Sequence, residues 1–266
     1  MSLRINTNVD ALQGYNSLSK TAGTVSKSME RLSSGFRVNS AADDAAGLSI
    51  SERMRGQIRG LAQATSNIGD AVSLVQTAEG NLNEVHSMLQ RVRELAVQHK
   101  NGSLSTADRT AIQSEVNQLA SEISRIGTDS EFNGIALFSA AATVSFQVGA
   151  NDGETITVGL VSLGARVGTD YHDLAQTDVL AEIDEAINNV SDTRATFGAA
   201  QNRLEYAQAA TQSYHENLVS AESRIRDVDM AKEMVNLTKN QVLSQAGTAM
   251  LAQANQSPQS VLSLLR

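Results

Sequence analysis

One stretch limits what this chain can fold into more than any other. Residues 45–100 contain no proline and carry an apolar seam in alternating steps of three and four. Ile58, Leu61, Thr65, Ile68, Val72, Val75, Glu79, Leu82, His86 and Leu89 fall on one line, with Val85 and Val92 beside it. Steps averaging about 3.5 residues keep a stripe turned toward one partner along a helix, as in a coiled coil. At the helical rise per residue, such a segment would be roughly 80 Å long. A helix of that length needs cover for its stripe, and the rest of the chain has to supply it.

A second helical stripe opens the chain: Ile5, Val9, Leu12, Tyr15, Leu18, Ala22, Val25, Met29 and Leu32. Ser33-Ser34-Gly35 breaks it, residues 36–40 read as extended, and Asp43 and Asp44 restart helix where acidic residues suit the first turn. The long helix is expected to end near Asn101-Gly102. Ser105 then caps a shorter one, with Asp108 as capping-box partner. Its stripe, Ile112, Val116, Leu119, Ile123 and Ile126, folds back along the long helix, and Gly127, Asn133 and Gly134 are expected to end it.

From 139 to 177 the pattern changes. Val144, Phe146 and Val148 alternate with polar residues, as do Ile156, Val158 and Leu160, around a Gly149-Ala-Asn-Asp-Gly153 turn. This predicts a β-hairpin, the one strand pair expected in the chain. Helix resumes near Asp178, with Val179, Ile183, Ala186, Ile187 and Val190 on one face. After Gly198 the stripe continues through Leu204, Ala207, Thr211, Tyr214, Leu218, Ala221, Ile225 and Val228. A last helix, 230–254, carries two apolar lines: Met234 with Leu237, and Val235, Val242, Ala246 with Ala249. Two such faces imply burial on several sides, and the cover is expected to come from other subunits. The fold class is therefore mainly α: a long antiparallel helical bundle or coiled coil with a small β-hairpin, its N- and C-terminal helices paired.

Composition agrees with extended helix packing. Aromatic residues are 3% of the 266, Trp is absent and Pro258 is the single proline, so small side chains must let helices approach closely. The net charge of −8 is spread without a basic cluster, which argues against nucleic acid or an anionic membrane as partner. Without cysteine there is neither disulfide nor thiolate metal site. His86, His99, His172 and His215 are scattered, no Gly-x-Ser-x-Gly or His-Glu-x-x-His occurs, and no cofactor is expected. The N-terminus lacks the apolar core of a signal peptide and no apolar run approaches membrane-spanning length. Taken alone this points to the cytoplasm, although a protein exported without a cleaved signal looks the same.

The segment Arg31-Leu-Ser-Ser-Gly-Phe-Arg-Val-Asn-Ser-Ala-Ala-Asp-Asp-Ala-Ala-Gly-Leu48 closely resembles the N-terminal region of bacterial flagellins. Similar matches occur at 76–80, 89–98, 147–156, 223–241 and 252–265, nearly the whole chain in family order. Phe36 departs from the Leu common in the family, Arg4 stands where many members are apolar, and 139–177 leaves no room for large outer domains. The resemblance implies an inner-tube domain from 1–44 and 227–266 and an outer-tube domain from 45–138 and 178–226, with 139–177 as hairpin and short variable region. It also implies a structural subunit polymerising into the extracellular flagellar filament for swimming, exported without a cleaved signal, its termini folding on assembly.

The assembly residues on the terminal helices are then Ile5, Val9, Leu12, Leu18, Val25, Met29, Leu32, Met234, Leu237, Val242, Met250, Leu251, Leu262 and Leu265. Gln90, Arg91, Glu94, Leu95 and Glu115 match family residues that contact neighbouring subunits along the protofilament and the host Toll-like receptor 5. Further partners implied are the export chaperone, through the C-terminal region, and the filament cap and hook-associated junction proteins. A junction protein with similar ends is the nearest alternative; it matches less well at 89–98 and at Ser257-Pro-Gln.

Overall fold

The computed structural model describes residues 8–168 and 171–264, with backbone alone for 257–264. Ile5, Leu265 and the side chain of Leu262 thus lie outside the described residues. The chain forms two compact units, one from 57–217 and one from 1–56 with 218–266.

The central unit is built on α2, which runs from Ala45 to His99 over 55 residues. The seam it buries is turned by one residue from the predicted one. Leu61, Ile68, Val75, Leu82 and Leu89 form one column, as expected. The second column is Ala64, Ala71, Ala78, Val85 and Val92, and none of these ten is more than 2% exposed. Thr65, Val72, Glu79 and His86 are only half-buried. The alanines win because a small side chain lets the neighbouring helix close in and leaves the larger column to fill the gap.

Helix α3 (Thr106–Asp129) starts on the predicted box: Asp108 N donates to Ser105 Oγ at 3.2 Å and Ser105 N to Asp108 Oδ2 at 3.1 Å. Ile112, Val116 and Ile123 are buried, with Leu119 and Ile126 packed beside them. Gly127 does not end this helix. It lies inside it, where an added Cβ would sit 3.5 Å from Leu163, so the glycine serves close approach. Asn133 and Gly134, with φ of +51° and +77°, instead turn an unpredicted miniature hairpin between β1 (Glu131–Phe132) and β2 (Ile135–Ala136).

The predicted hairpin is present as β3 (Ala142–Gln147) and β4 (Thr155–Leu160), with Val144 opposite Val158 and Phe146 opposite Ile156. Its end is fastened on both sides. Asn67 Nδ2 of α2 donates to Gln147 O at 3.1 Å, and Thr211 Oγ1 of α5 (Val179–Arg226) donates to Val148 O at 3.1 Å. A short helix α4 (Leu163–Val167) follows. Gln113 on α3 then pins the chain beyond it, donating to His172 O at 2.6 Å and accepting from Leu174 N at 3.1 Å. Tyr171 and Leu174 are buried there, and burial pushes the Tyr171 hydroxyl up to about 12.

Helix α5 continues unbroken through Gly198. Val179, Ile183, Ala186, Val190, Thr193, Phe197, Leu204 and Thr211 are its buried line, whereas Tyr214, expected in the stripe, is 48% exposed. It runs antiparallel to α2, with Arg93 paired to Asp184 at 2.6 Å and Arg194 to Glu79 at 3.5 Å.

The other unit pairs α1 (Val9–Ser34) with α6 (Met230–Leu264). Asn8 caps α1 by accepting from Ala11 N at 3.0 Å, and Gly35, at φ +77°, closes it. Asp43 and Asp44 lie ahead of α2 rather than in its first turn. Asp44 Oδ1 accepts from Gly47 N at 2.8 Å, and Asp43 Oδ2 accepts from Ser40 N at 3.2 Å.

Candidate functional site

Two surfaces were expected to carry function, the structure adds a third, and each is built differently. On α2, Arg91 reaches across to α3. Its Nε and Nη2 lie 3.1 and 3.0 Å from Glu115 Oε1, and its Nη1 lies 3.2 Å from Glu94 Oε2. These bonds, Glu115 first, raise the guanidinium further above its already high ordinary value. Gln90 lies one residue away and pairs with His86 Nε2 at 2.9 Å. The fold thus places Gln90, Arg91, Glu94 and Glu115 on one exposed patch. Leu95 does not join them: it is 2% exposed and belongs to the core. Exposed pairs of this kind contribute little to stability, and their geometry suits display of fixed charge.

The terminal pair shows the opposite economy of apolar surface. Its internal seam is mostly small or polar: Ala11, Gly14, Leu18, Thr21, Val25 and Ser28 on α1 are buried or half-buried. They are matched on α6 by Glu233, Leu237, Asn240, Ser244, Gly247, Leu251 and Ala254. Leu18 lies against Gly247 and Leu251 against Gly14, reciprocal seats in which an added Cβ would come to 3.2 and 3.8 Å of a leucine Cδ1. Ser28 Oγ donates to Glu233 Oε1 at 2.5 Å, and Asn8 Nδ2 to Ala254 O at 2.9 Å. Leu18, Val25, Leu32, Leu237 and Leu251 therefore face into or border the pair. Val9, Leu12, Tyr15, Met29, Met234, Val235, Val242, Leu243 and Met250 remain 48–70% exposed. Following the large residues alone hides this division; the recurring Gly, Ala, Ser and Thr were the available signal.

The third site is a joint not foreseen from the sequence. Where α1 ends and α5 gives way to α6, Phe36 and Asp227 form an isolated antiparallel bridge. Arg37 N donates to Arg226 O at 2.6 Å and Val228 N to Gly35 O at 3.0 Å. Arg226 lies over the Phe36 ring, 4.7 Å from its centroid, and its Nη1 is 2.8 Å from Glu52 Oε1. That contact holds the Glu52 carboxyl below the ordinary carboxylate range.

A cavity of about 810 Å³ in the central unit is lined by Ser121, Ser124, Thr128, Leu163 and Tyr171 among others, and among the described residues its lining carries no carboxylate. Among the described residues no group of three or more His, Asp or Glu is placed to hold a metal, and no helix is long and apolar enough to cross a membrane.

Comparison with known proteins accounts for the pattern. Residues 5–143 match the bacterial flagellin N-terminal helical region, and residues 180–265 match the bacterial flagellin C-terminal helical region. A flagellin of Halalkalibacterium halodurans is 50% identical over 98% of this chain and 99% of its own length. A flagellin of Bacillus subtilis is 47% identical over 99% of this chain and all of its own length. The crystal structure of Bacillus cereus flagellin superposes with a TM-score of 0.51 at 29% identity, covering 59% of this chain and 94% of that one. The chain belongs to the bacterial flagellin family, and is a structural subunit of the flagellar filament rather than an enzyme.

Proposed function

We propose that the α1–α6 pair, residues 1–44 with 227–266, is the assembly element of an inner-tube domain, that residues 45–226 supply the outer tube and its hairpin, and that the terminal pair completes its folding only between subunits. The supporting observation is the row of large apolar side chains left 48–70% exposed on α1 and α6. Burying one such side chain fully is worth about 1.5–3 kcal/mol, so neighbouring copies can offset the entropy of ordering both helices. The axial contact runs through Gln90, Arg91, Glu94 and Glu115, with Leu95 supporting the backbone beneath them, and the same patch on the monomer is what Toll-like receptor 5 recognises.

The family likeness supports the remaining partners: an export chaperone on the C-terminal helix, the filament cap, and hook-associated junction proteins, with export proceeding without a cleaved signal. Deletion of 1–35 and 231–266 tests the assembly reading. A truncated chain that stays monomeric under polymerising conditions, as seen by electron microscopy, is the expected result; normal filaments from it would overturn the proposal. Arg91→Ala tests the patch, with a weaker dose response in receptor-signalling cells expected from monomer and an unchanged one counting against it.

A further inference from the structure

We propose that Asn101 is a site of spontaneous deamidation, and that the chain's other Asn-Gly step, Asn133-Gly134, is protected by its fold. The reaction needs no enzyme. The backbone nitrogen of the following residue gives up its proton to solvent hydroxide and attacks the asparagine Cγ. The new C–N bond closes a five-membered succinimide as the Cγ–Nδ2 bond breaks, and the side-chain nitrogen takes a proton from water and leaves as ammonia. Solvent water then opens the ring at either carbonyl, leaving aspartate or isoaspartate. A following glycine speeds the attack because no Cβ crowds the nitrogen. The sequence has two such steps, at 101–102 and 133–134, and all four residues are exposed. Composition and exposure therefore do not separate them.

Geometry does. Asn101 lies just past the end of α2, in the turn leading to α3. Ser103 N donates to Asn101 Oδ1 at 3.2 Å, which folds the side-chain carbonyl over the turn and sets a donor beside the oxygen that gains charge during the attack. Among the described residues the Gly102 N–H has no backbone acceptor to give up. Ring closure requires rotation about the Cα–C bond of Asn101, which swings its backbone carbonyl. That carbonyl holds only two long bonds, from Leu104 N at 3.4 Å and Arg109 Nη2 at 3.3 Å.

At Asn133 the same rotation meets far more resistance. Asn133 and Gly134 have φ of +51° and +77° and form the two-residue loop of a hairpin. Phe132 pairs with Ile135 and Glu131 with Ala136, and Leu137 N donates to Ser130 O at 2.9 Å. Both left-handed residues are required by such a turn, so rotating out of it undoes the pairing on either side.

The product at 101 alters the end of α2 in two ways. A new carboxylate sits beside the helix C-terminus, where backbone carbonyls already make the potential negative. Isoaspartate also adds a methylene to the main chain between α2 and α3. In a filament outside the cell the change accumulates with the age of each subunit.

The test is incubation of the purified full-length chain at mildly alkaline pH, followed by peptide mapping with fragmentation that separates aspartate from isoaspartate. Gly102→Ala is the slow variant: an added Cβ meets nothing within 4 Å and the glycine's φ is not positive, so the fold accepts it. The expected result is conversion at Asn101 with isoaspartate in excess, roughly tenfold slower in Gly102→Ala. Asn133 stays unchanged over the same time, and both sites react at similar rates in denaturant. Conversion of Asn133 at the rate of Asn101 in the folded chain, or a Gly102→Ala variant as fast as the parent, overturns the proposal.

Discussion

The two helical units use the same period for opposite ends. In the central unit both members of each seam step point inward: Leu61, Ile68, Val75, Leu82 and Leu89 are no more than 2% exposed, with Ala64, Ala71 and Ala78 beside the first three to let helices close in. In the terminal pair small and polar residues dominate the contact, and Leu12, Tyr15, Val242 and Met250 point out at 58, 62, 59 and 70% exposure. The first arrangement satisfies itself within one chain. The second leaves its apolar area available to further chains. A hydrophobic period therefore fixes where a helix lies but not which of its flanks is the internal one.

Substitutions matched in chemistry can break or sharpen this contrast. The largest effect is expected from Leu82→Ala, which empties a fully buried site and should cost about 2–5 kcal/mol in denaturant unfolding. The same truncation at Leu12 should leave the monomer within about 0.5 kcal/mol of the parent while raising the concentration needed for polymerisation. Equal destabilisation of the monomer by both would erase the distinction. Next, Ala71→Leu should cost about 1–3 kcal/mol by overpacking the close approach, and Ala249→Leu on exposed α6 should not. Scanning calorimetry of the two proteins decides it.

At the joint, Arg226→Ala removes both the ring contact with Phe36 and the charge contact with Glu52. A loss of about 1 kcal/mol is expected, measured by protection of the 35–39 amides in hydrogen exchange. Phe36→Leu should remove the ring contact and keep the Glu52 pairing.

The smallest effect concerns pH. Glu52, Asp184 and Asp108 are held below their ordinary values, by Arg226, Arg93 and Ser105 respectively. Their folded values lie below their unfolded ones, so the stability they add is complete above the ordinary carboxylate range. It is lost as pH falls through the depressed values. An acid-unfolding profile of Asp184→Asn should be shallower than that of the parent over this range; identical profiles would show that the pair does not couple to folding.

Much of the architecture was legible in the residues. The long proline-free run gave α2 to within one residue of its end, Ser105 with Asp108 marked the start of α3, and alternation at 144–148 and 156–160 gave the hairpin. What escaped has a common physical cause. The alanines at 64, 71 and 78 add little to a hydropathy pattern because their value lies in proximity, which only the partner helix reveals. Gly127 read as a helix stop for the same reason. The five residues of α4 are too short to show a period, and Gln113 gives no local sign that it will clamp a segment far along the chain. The candidate surface of Gln90, Arg91, Glu94, Leu95 and Glu115 was drawn from the flagellin resemblance; helix spacing by itself offered only the Arg91–Glu94 pair, and it gave no sign that Leu95 faces inward.

The fastening of the β3–β4 end by Asn67 and Thr211 has a practical consequence for grafting foreign sequence into this protein. Residues 151–153 look like an open loop, yet the strand ends on which an insert there would be mounted are held between two helices. A peptide grafted there would inherit a rigid base, and a bulky one would pry Gln147 and Val148 from their partners. The turn at 133–134 has open space around Gly134. An insert there trades away only a miniature hairpin, and it would move freely.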